Sequence, residues 1–507
     1  MTKVKGASII KNIYQSLPKL YFVLQIFIGL FASYWLLFYH QPETGDDVEH
    51  LHSTWLVSEG LTPYKDFFQH HNPLMWYIFI PIVRIFEYDI KVFDAVRILS
   101  TITMLLTLFV SSMIIKRFVC KTWYSALLVV ASCFPSYVIF TGQDFRPDNY
   151  MTITFILGIY FFFSYLEKNK VSSLILSFLF MFASFLFMQK IIFMLLVFAS
   201  VVLYYLYKKE IPLKDFCKAL ILPIAGAVLF LAWLISNDMV MLYWKSNFTF
   251  NLFIPDVYGG KVEATRDEFY VLMVISFIGG LYSIFKGNKY IKIITIIWFT
   301  ELLQRLLYFS LNRHYYYLLL ILNAILAGYI IYVIITKYNW TAYIFVALSI
   351  WSLIIFKNFC LERQLSPEFH RYATPKYIIE QTNRCDVVLN GYGLTYGIFT
   401  KDATYYWNLN GQLDVIGEKV GIAPLPDLNK AVRDYLPKII YTNPYWDEKL
   451  HQQNINKPVH MIDANLRDKY YNQSLFIGLF ILKPEYQKIR RCRYNVKTDK
   501  WQYYYKG

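Results

Sequence analysis

The strongest constraint on this chain is a succession of apolar runs, each close to the length that crosses a bilayer. Eleven lie at 19–38, 93–115, 122–140, 149–166, 171–188, 191–207, 218–236, 269–286, 290–309, 314–336 and 341–357. A helix rises about 1.5 Å per residue, so about 20 apolar residues cross a hydrocarbon core of about 30 Å. The expected fold class is therefore a polytopic α-helical membrane protein of about eleven transmembrane helices. Charged residues are 17% of the chain, against about 25% in an average soluble domain. Aromatic residues reach 19%, which suits interfacial belts and sugar-stacking surfaces alike. The net charge of +15 does not point to nucleic acid. Lys and Arg fall mainly between the apolar runs, where membrane orientation places them. Residues 19–38 are too long for a cleavable signal and lack a small-x-small site.

The run 73–86 carries two prolines and Arg84 in about 14 residues, a length typical of re-entrant or interfacial segments. Charge decides its status. Lys3, Lys5 and Lys11 precede the first run, which puts the N-terminus in the cytoplasm. If 73–86 does not span, then Lys116, Arg117, Lys121, Lys168, Lys170, Lys208, Lys209, Lys214, Lys218, Lys286, Lys289, Lys292 and Lys337 all fall inside. If it spans, nearly all of them fall outside. The first option makes 39–92 one exterior juxtamembrane loop of a transmembrane domain at 1–357. This places the protein in the plasma or inner membrane with its tail exterior.

From 358 to 507 the chain is polar. Strand-like runs at 385–390, 437–443 and 474–483 bracket a helical pattern at 425–436. Strands interleaved with a helix suggest a C-terminal exterior α/β domain. The six cysteines show neither CxxC nor zinc spacing. Cys360, Cys385 and Cys492 allow at most one exterior disulfide and demand none.

The titratable residues gather at the exterior loops. Asp46 and Asp47 follow the first run. Val48, Leu51, Trp55 and Leu56 then mark the apolar face of a helix that Gly60 ends. Such a helix on the membrane would hold the carboxylates at the lip of a cavity, with Glu49, His50 and His52 on its wet face. The next exterior loop, "TGQDFRPDNYM", carries Asp144, Arg146 and Asp148. Asp148 reads either as a helix cap or as a second acidic group, and Arg146 offers a bidentate phosphate contact. Lys190 breaks the positive-inside trend; it reads as snorkelling to headgroups or as binding a lipid phosphate. Arg313 and His314 form a second exterior basic pair. Glu301, Gln304 and Arg305 lie within a run, where such groups pair or line a cavity. Asp66 reads as a turn cap or a group lining an acceptor path. "GYGLTYG" (391–397) lacks the GK[ST] of a phosphate loop and reads as a turn.

In order along the chain, "GDD", "EGLTPYKDFFQHHNPLMWY", "RPDNYM", "MQK" and "NRHYYYLLL" resemble the GT-C superfamily of integral-membrane glycosyltransferases. The nearest look-alikes are the protein O-mannosyltransferases and the bacterial lipid A aminoarabinose transferases. The resemblance covers roughly 15–320. It departs at Asp47, where the family usually has Glu, so which of the pair acts as base stays open. It implies an inverting transferase that moves a sugar from a polyprenyl-phosphate donor to an exterior acceptor: a lipid, a glycan or a protein. Catalytic roles would fall to Asp46, Asp47 and Asp148. Donor phosphate binding would fall to Lys190, Arg146, Arg313 and His314. Asp66, His50 and Asp144 would position the loops or the acceptor. No cofactor is required; a divalent ion such as Mg or Mn at Asp46 and Asp148 is compatible. The alternative is a transporter or flippase of lipid-linked sugars, but no repeated halves are visible.

Overall fold

A computed structural model describes residues 45–133, 137–253, 267–307, 313–338, 373–390, 397–407, 427–441, 462–474, 478–487, 491–495 and 500–504. It also describes residue 476 and isolated positions within 20–31, 347–357 and 416–422. The expected runs 19–38 and 341–357 fall largely outside the described residues. Two compact units are present: one of 1–41, 97–226 and 261–369, the other of 42–96, 227–260 and 370–507. Thus the segment 42–96 groups with the C-terminal region.

Helices overlie the nine expected runs that remain. Five are long and apolar enough to cross a membrane: Val92–Val119, Pro147–Lys168, Gln189–Tyr207, Leu213–Ser236 and Tyr317–Lys337. Trp123–Cys133 and Val171–Phe187 are shorter apolar helices. The run expected at 122–140 is α-helical only to Cys133, with a 3-10 segment at Tyr137–Gln143. Burial differs widely among these helices: 83% of the apolar window of Tyr317–Lys337 is buried, against 11% for Leu213–Ser236.

In the first unit, Pro147–Lys168 and Val171–Phe187 form a tight helical hairpin. Asn169 between them adopts a left-handed conformation, φ 54°. Ser177 Oγ donates to the Gly158 carbonyl at 2.8 Å, a contact that a small residue permits. Tyr317–Tyr338 packs on Trp123–Cys133 and on Asp267–Lys286. A Cβ added at Gly279 would lie 2.5 Å from the Leu326 carbonyl oxygen. Gly279→Val is therefore expected to lower stability by about 1–3 kcal/mol through forced separation of the two helices. Thermal unfolding in detergent checks this, and an unchanged midpoint would remove the close approach.

In the second unit, Gly45–Ser58 packs on Leu74–Ile85. Gly60, at φ 81°, supplies the left-handed turn that ends the first helix. Glu59 is only 5% exposed and is shared by two arginines. Arg84 reaches it at 2.9 Å, and Arg384 Nε donates to its Oε2, also at 2.9 Å. A buried carboxylate needs such partners.

The same unit holds a mixed sheet. Its strands are β1 (Val387–Asn390), β2 (Lys401–Asp402), β3 (Ile439–Tyr441), β4 (Tyr471–Gln473) and β5 (Leu479–Leu482), in the order β2-β1-β3-β5-β4. β1 runs parallel to β2 and β3; β5 is antiparallel to β3 and β4. Alternate residues face opposite sides. Val388, Ile439 and Leu479 pack with Ile378 of Ala373–Gln381. Leu389, Ile440 and Leu482 pack with Val432 of Leu428–Tyr435. β6 (Arg491–Asn495) and β7 (Lys500–Tyr504) form a separate antiparallel pair.

Cys120, Cys133 and Cys217 are free thiols, whereas Cys385 is disulfide-bonded. One bridge leaves 6 − 2 = 4 thiols of the six cysteines. Denatured, unreduced protein is expected to titrate four thiols, and six after reduction. Six before reduction would remove the bridge.

Candidate active site

The first acidic pair opens a helix. Asp46 and Asp47 occupy the first turn of Gly45–Ser58, where the helix dipole favours negative charge. Asp46 is half-buried and Asp47 fully buried. Eleven of the fourteen residues of this helix are buried, so it has no wet face.

Here the structure corrects the sequence reading. Glu49, His50 and His52, expected at the surface, are 3%, 0% and 2% exposed. His70 and His71 are also buried. Gln69 Nε2 donates to Glu49 Oε1 at 2.9 Å and to Ser53 Oγ at 2.8 Å. His70 Nε2 lies 3.5 Å from the same carboxylate oxygen. Burial pushes the Glu49 carboxyl up, but the hydrogen bond and charge of His70, the charge of His50 and the Gln69 amide outweigh it. They hold the group down at about 2. His52 is pushed down to about 4 by burial, against the pull of its contact with the Ile398 carbonyl. That contact, 3.0 Å from Nδ1, requires the proton on Nδ1. Asp66 is exposed and accepts from the Thr62 amide at 2.7 Å; it caps the turn.

In the other unit, the loop before Pro147–Lys168 is folded on itself. Asn149 Nδ2 donates to the carbonyls of Asp144, at 2.6 Å, and Gly142, at 3.1 Å. Asp144 is buried. Arg146 takes the N-cap position with Pro147 next, a favoured first helical residue. Asp148 therefore lies inside the first turn and does not cap it. Its Oδ2 accepts from Arg146 Nε at 3.1 Å, both side chains being buried. Arg146 thus holds a carboxylate in this geometry.

Asp148 lines a small cavity together with Lys190, Glu301, Arg305 and Tyr315. Met151, Met188, Ile191 and Leu318 supply its apolar wall. The Lys190 ammonium lies 3.6 Å above the Tyr315 ring. A ring face holds a cation without neutralising it. Gln304 Nε2 donates to the Lys190 carbonyl at 3.3 Å and steadies the turn. Arg305 Nε donates to Glu301 Oε1 at 2.8 Å. The two are four residues apart, on one helix face. Both alternatives read for Glu301 and Arg305 hold: they pair, and they line a cavity. Tyr315 is a lining residue to which sequence reasoning gave no role; the signal was an aromatic beside the basic pair Arg313 and His314. Arg313 and His314 lie in the short 3-10 segment Arg313–Tyr316, their side chains outside the described residues.

The fold of this chain is shared by solved structures of ArnT and of an oligosaccharyltransferase. No protein-family model matches the sequence, and no curated protein matches it. Solved structures match by fold. ArnT from Cupriavidus metallidurans bound to undecaprenyl phosphate superposes with a TM-score of 0.56 at 11% identity, over 85% of this chain and 94% of that one. The oligosaccharyltransferase of Archaeoglobus fulgidus in its apo form gives 0.53 at 9% identity, over 90% and 72%. The same enzyme in complex with Zn and sulfate gives 0.51 at 9% identity, over 96% and 73%.

Proposed function

We propose that this protein is an inverting glycosyltransferase that moves a sugar from a polyprenyl-phosphate donor to an acceptor at the exterior face. The observation that carries the reading is the cavity of Asp148, Lys190, Glu301, Arg305 and Tyr315. It lies in a fold shared with a structure bound to undecaprenyl phosphate. An acceptor hydroxyl is a poor nucleophile until a carboxylate removes its proton. Asp46, less buried than Asp47, takes that role, and Asp47 supports it. The phosphate that leaves gains charge, which fixed cations stabilise. Lys190 meets it as a point charge. Arg305, oriented by Glu301, is the second cation of the lining; Arg146, held by Asp148, and Arg313 and His314 belong to the same role. Asp148 orients Arg146 and the acceptor. No carboxylate adduct is needed, since a single displacement inverts the anomeric carbon.

The exterior placement of 42–96 and of the tail is supported by the basic loops of the opposite parity and by the bridged Cys385. Disulfides persist in oxidising compartments. The test is transfer by purified protein in detergent from polyprenyl-phosphate sugars to lipid, glycan and protein acceptors. A new glycosidic product of inverted configuration supports the reading. Tight donor binding with no product from any acceptor would favour a carrier of lipid-linked sugars instead.

A further inference from the structure

Glu49, His50 and His71 present one donor atom each, and all three atoms lie within 4.8 Å of one another. Their side chains are 3%, 0% and 3% exposed. We propose that these three residues bind a divalent transition-metal ion of the zinc class. Two imidazoles and one carboxylate are a nitrogen-rich donor set that suits zinc better than magnesium or calcium. Ligand atoms about 2.0–2.2 Å from such an ion stand roughly 3.3 Å apart in a tetrahedron. Small side-chain rotations close the present spacing to that.

The surroundings are built as metal surroundings are. Gln69 and His70 both engage Glu49 Oε1, which orients the carboxylate and turns Oε2 to the ion. The Tyr64 hydroxyl donates to the His71 carbonyl at 2.6 Å and anchors the main chain there. The His70 and His71 rings meet at a tilt of 39° with centroids 4.0 Å apart. Two ligands come from the Gly45–Ser58 helix and one from the loop that follows it. The ion therefore ties that loop to the helix turn directly after Asp46 and Asp47. It acts as a positioning element for the carboxylate pair.

One hydrogen bond opposes the ion and makes the site testable. The Trp76 indole N–H donates to His50 Nδ1 at 3.2 Å, so the proton of the neutral ring sits on Nε2. An ion on Nε2 requires the proton on Nδ1 instead, and the Trp76 contact is then given up. Removing the indole donor should strengthen binding, whereas a merely structural cluster would only loosen.

The experiment uses full-length protein in detergent, carrying a tag without histidine, stripped with chelator and dialysed against zinc. Elemental analysis is expected to find one zinc per chain, which excess magnesium does not displace. Cobalt in its place should give the visible bands of a four-coordinate site. His71→Ala and the better-tolerated His71→Gln should each weaken zinc binding at least tenfold, as should Glu49→Gln. Asp46→Asn should retain it, and Trp76→Phe should bind equally or more tightly. Elution as a single folded species accompanies each variant. Zinc binding unaltered in both His71 variants overturns the site. So does equal loss in Asp46→Asn, or a tenfold weakening in Trp76→Phe. The site does not depend on the proposed transferase reaction. Sugar transfer measured on the same zinc-loaded sample separates failure of that reading from failure of this one.

Discussion

Asp46→Asn is expected to lower the turnover of sugar transfer by about 10²–10⁴-fold, the usual contribution of a positioned general base. Donor binding should stay nearly unchanged. Asn fills the same volume and keeps an acceptor oxygen, but it cannot take a proton. Asp46 is half-buried in the first helical turn, so an acceptor hydroxyl can reach it. Asp47 is fully buried, so Asp47→Asn should act through the fit of the helix start and cost less in turnover. Single-turnover measurement at saturating donor separates the chemical step from binding. If both variants turn over at the wild-type rate, neither carboxylate is the base. If Asp47→Asn shows the larger loss in turnover with binding intact, the roles of the pair exchange.

Much of the architecture was legible because lipid imposes a simple rule on the chain. A backbone in hydrocarbon must satisfy its own hydrogen bonds, so apolar runs of spanning length become helices. Strand-like runs in the tail were legible for a related reason: Val388 and Leu389 face opposite sides of a sheet covered on both faces. Two things were not. Periodicity assigns a wet face by default, and it put Glu49, His50 and His52 there. The Gly45–Ser58 helix is instead buried nearly all round, and burial on every side erases the amphipathic signal. Its polar residues are satisfied by one another and by Gln69 and His70, partners that only the folded loop brings within reach. Second, the meeting of Asp148 and Lys190 with Glu301, Arg305 and Tyr315 joins segments more than a hundred residues apart in sequence. Charge out of place along the chain marked the four charged residues singly. No local spacing encodes which of them share a cavity.

Lys190→Met carries the other large expected effect, and it falls on the donor. A hydrogen bond to a charged group contributes about 1.5–3 kcal/mol, so donor affinity should weaken roughly 10–150-fold. Met preserves length and apolar bulk beside Met151, Met188 and Ile191, which limits the change to charge. Lys190→Arg should recover part of the loss, since its planar fork meets phosphate in a different geometry. Tyr315→Leu removes the ring that carries the ammonium and should cost about 0.5–2 kcal/mol. In the Lys190→Met background the same change should cost little, because the ring then has no cation to hold. That non-additivity is the discriminating measurement. A snorkelling lysine that only reaches headgroups would leave donor affinity unchanged and show no coupling to Tyr315. A phosphate ligand requires both, with the affinity loss shrinking as added salt screens the wild-type site.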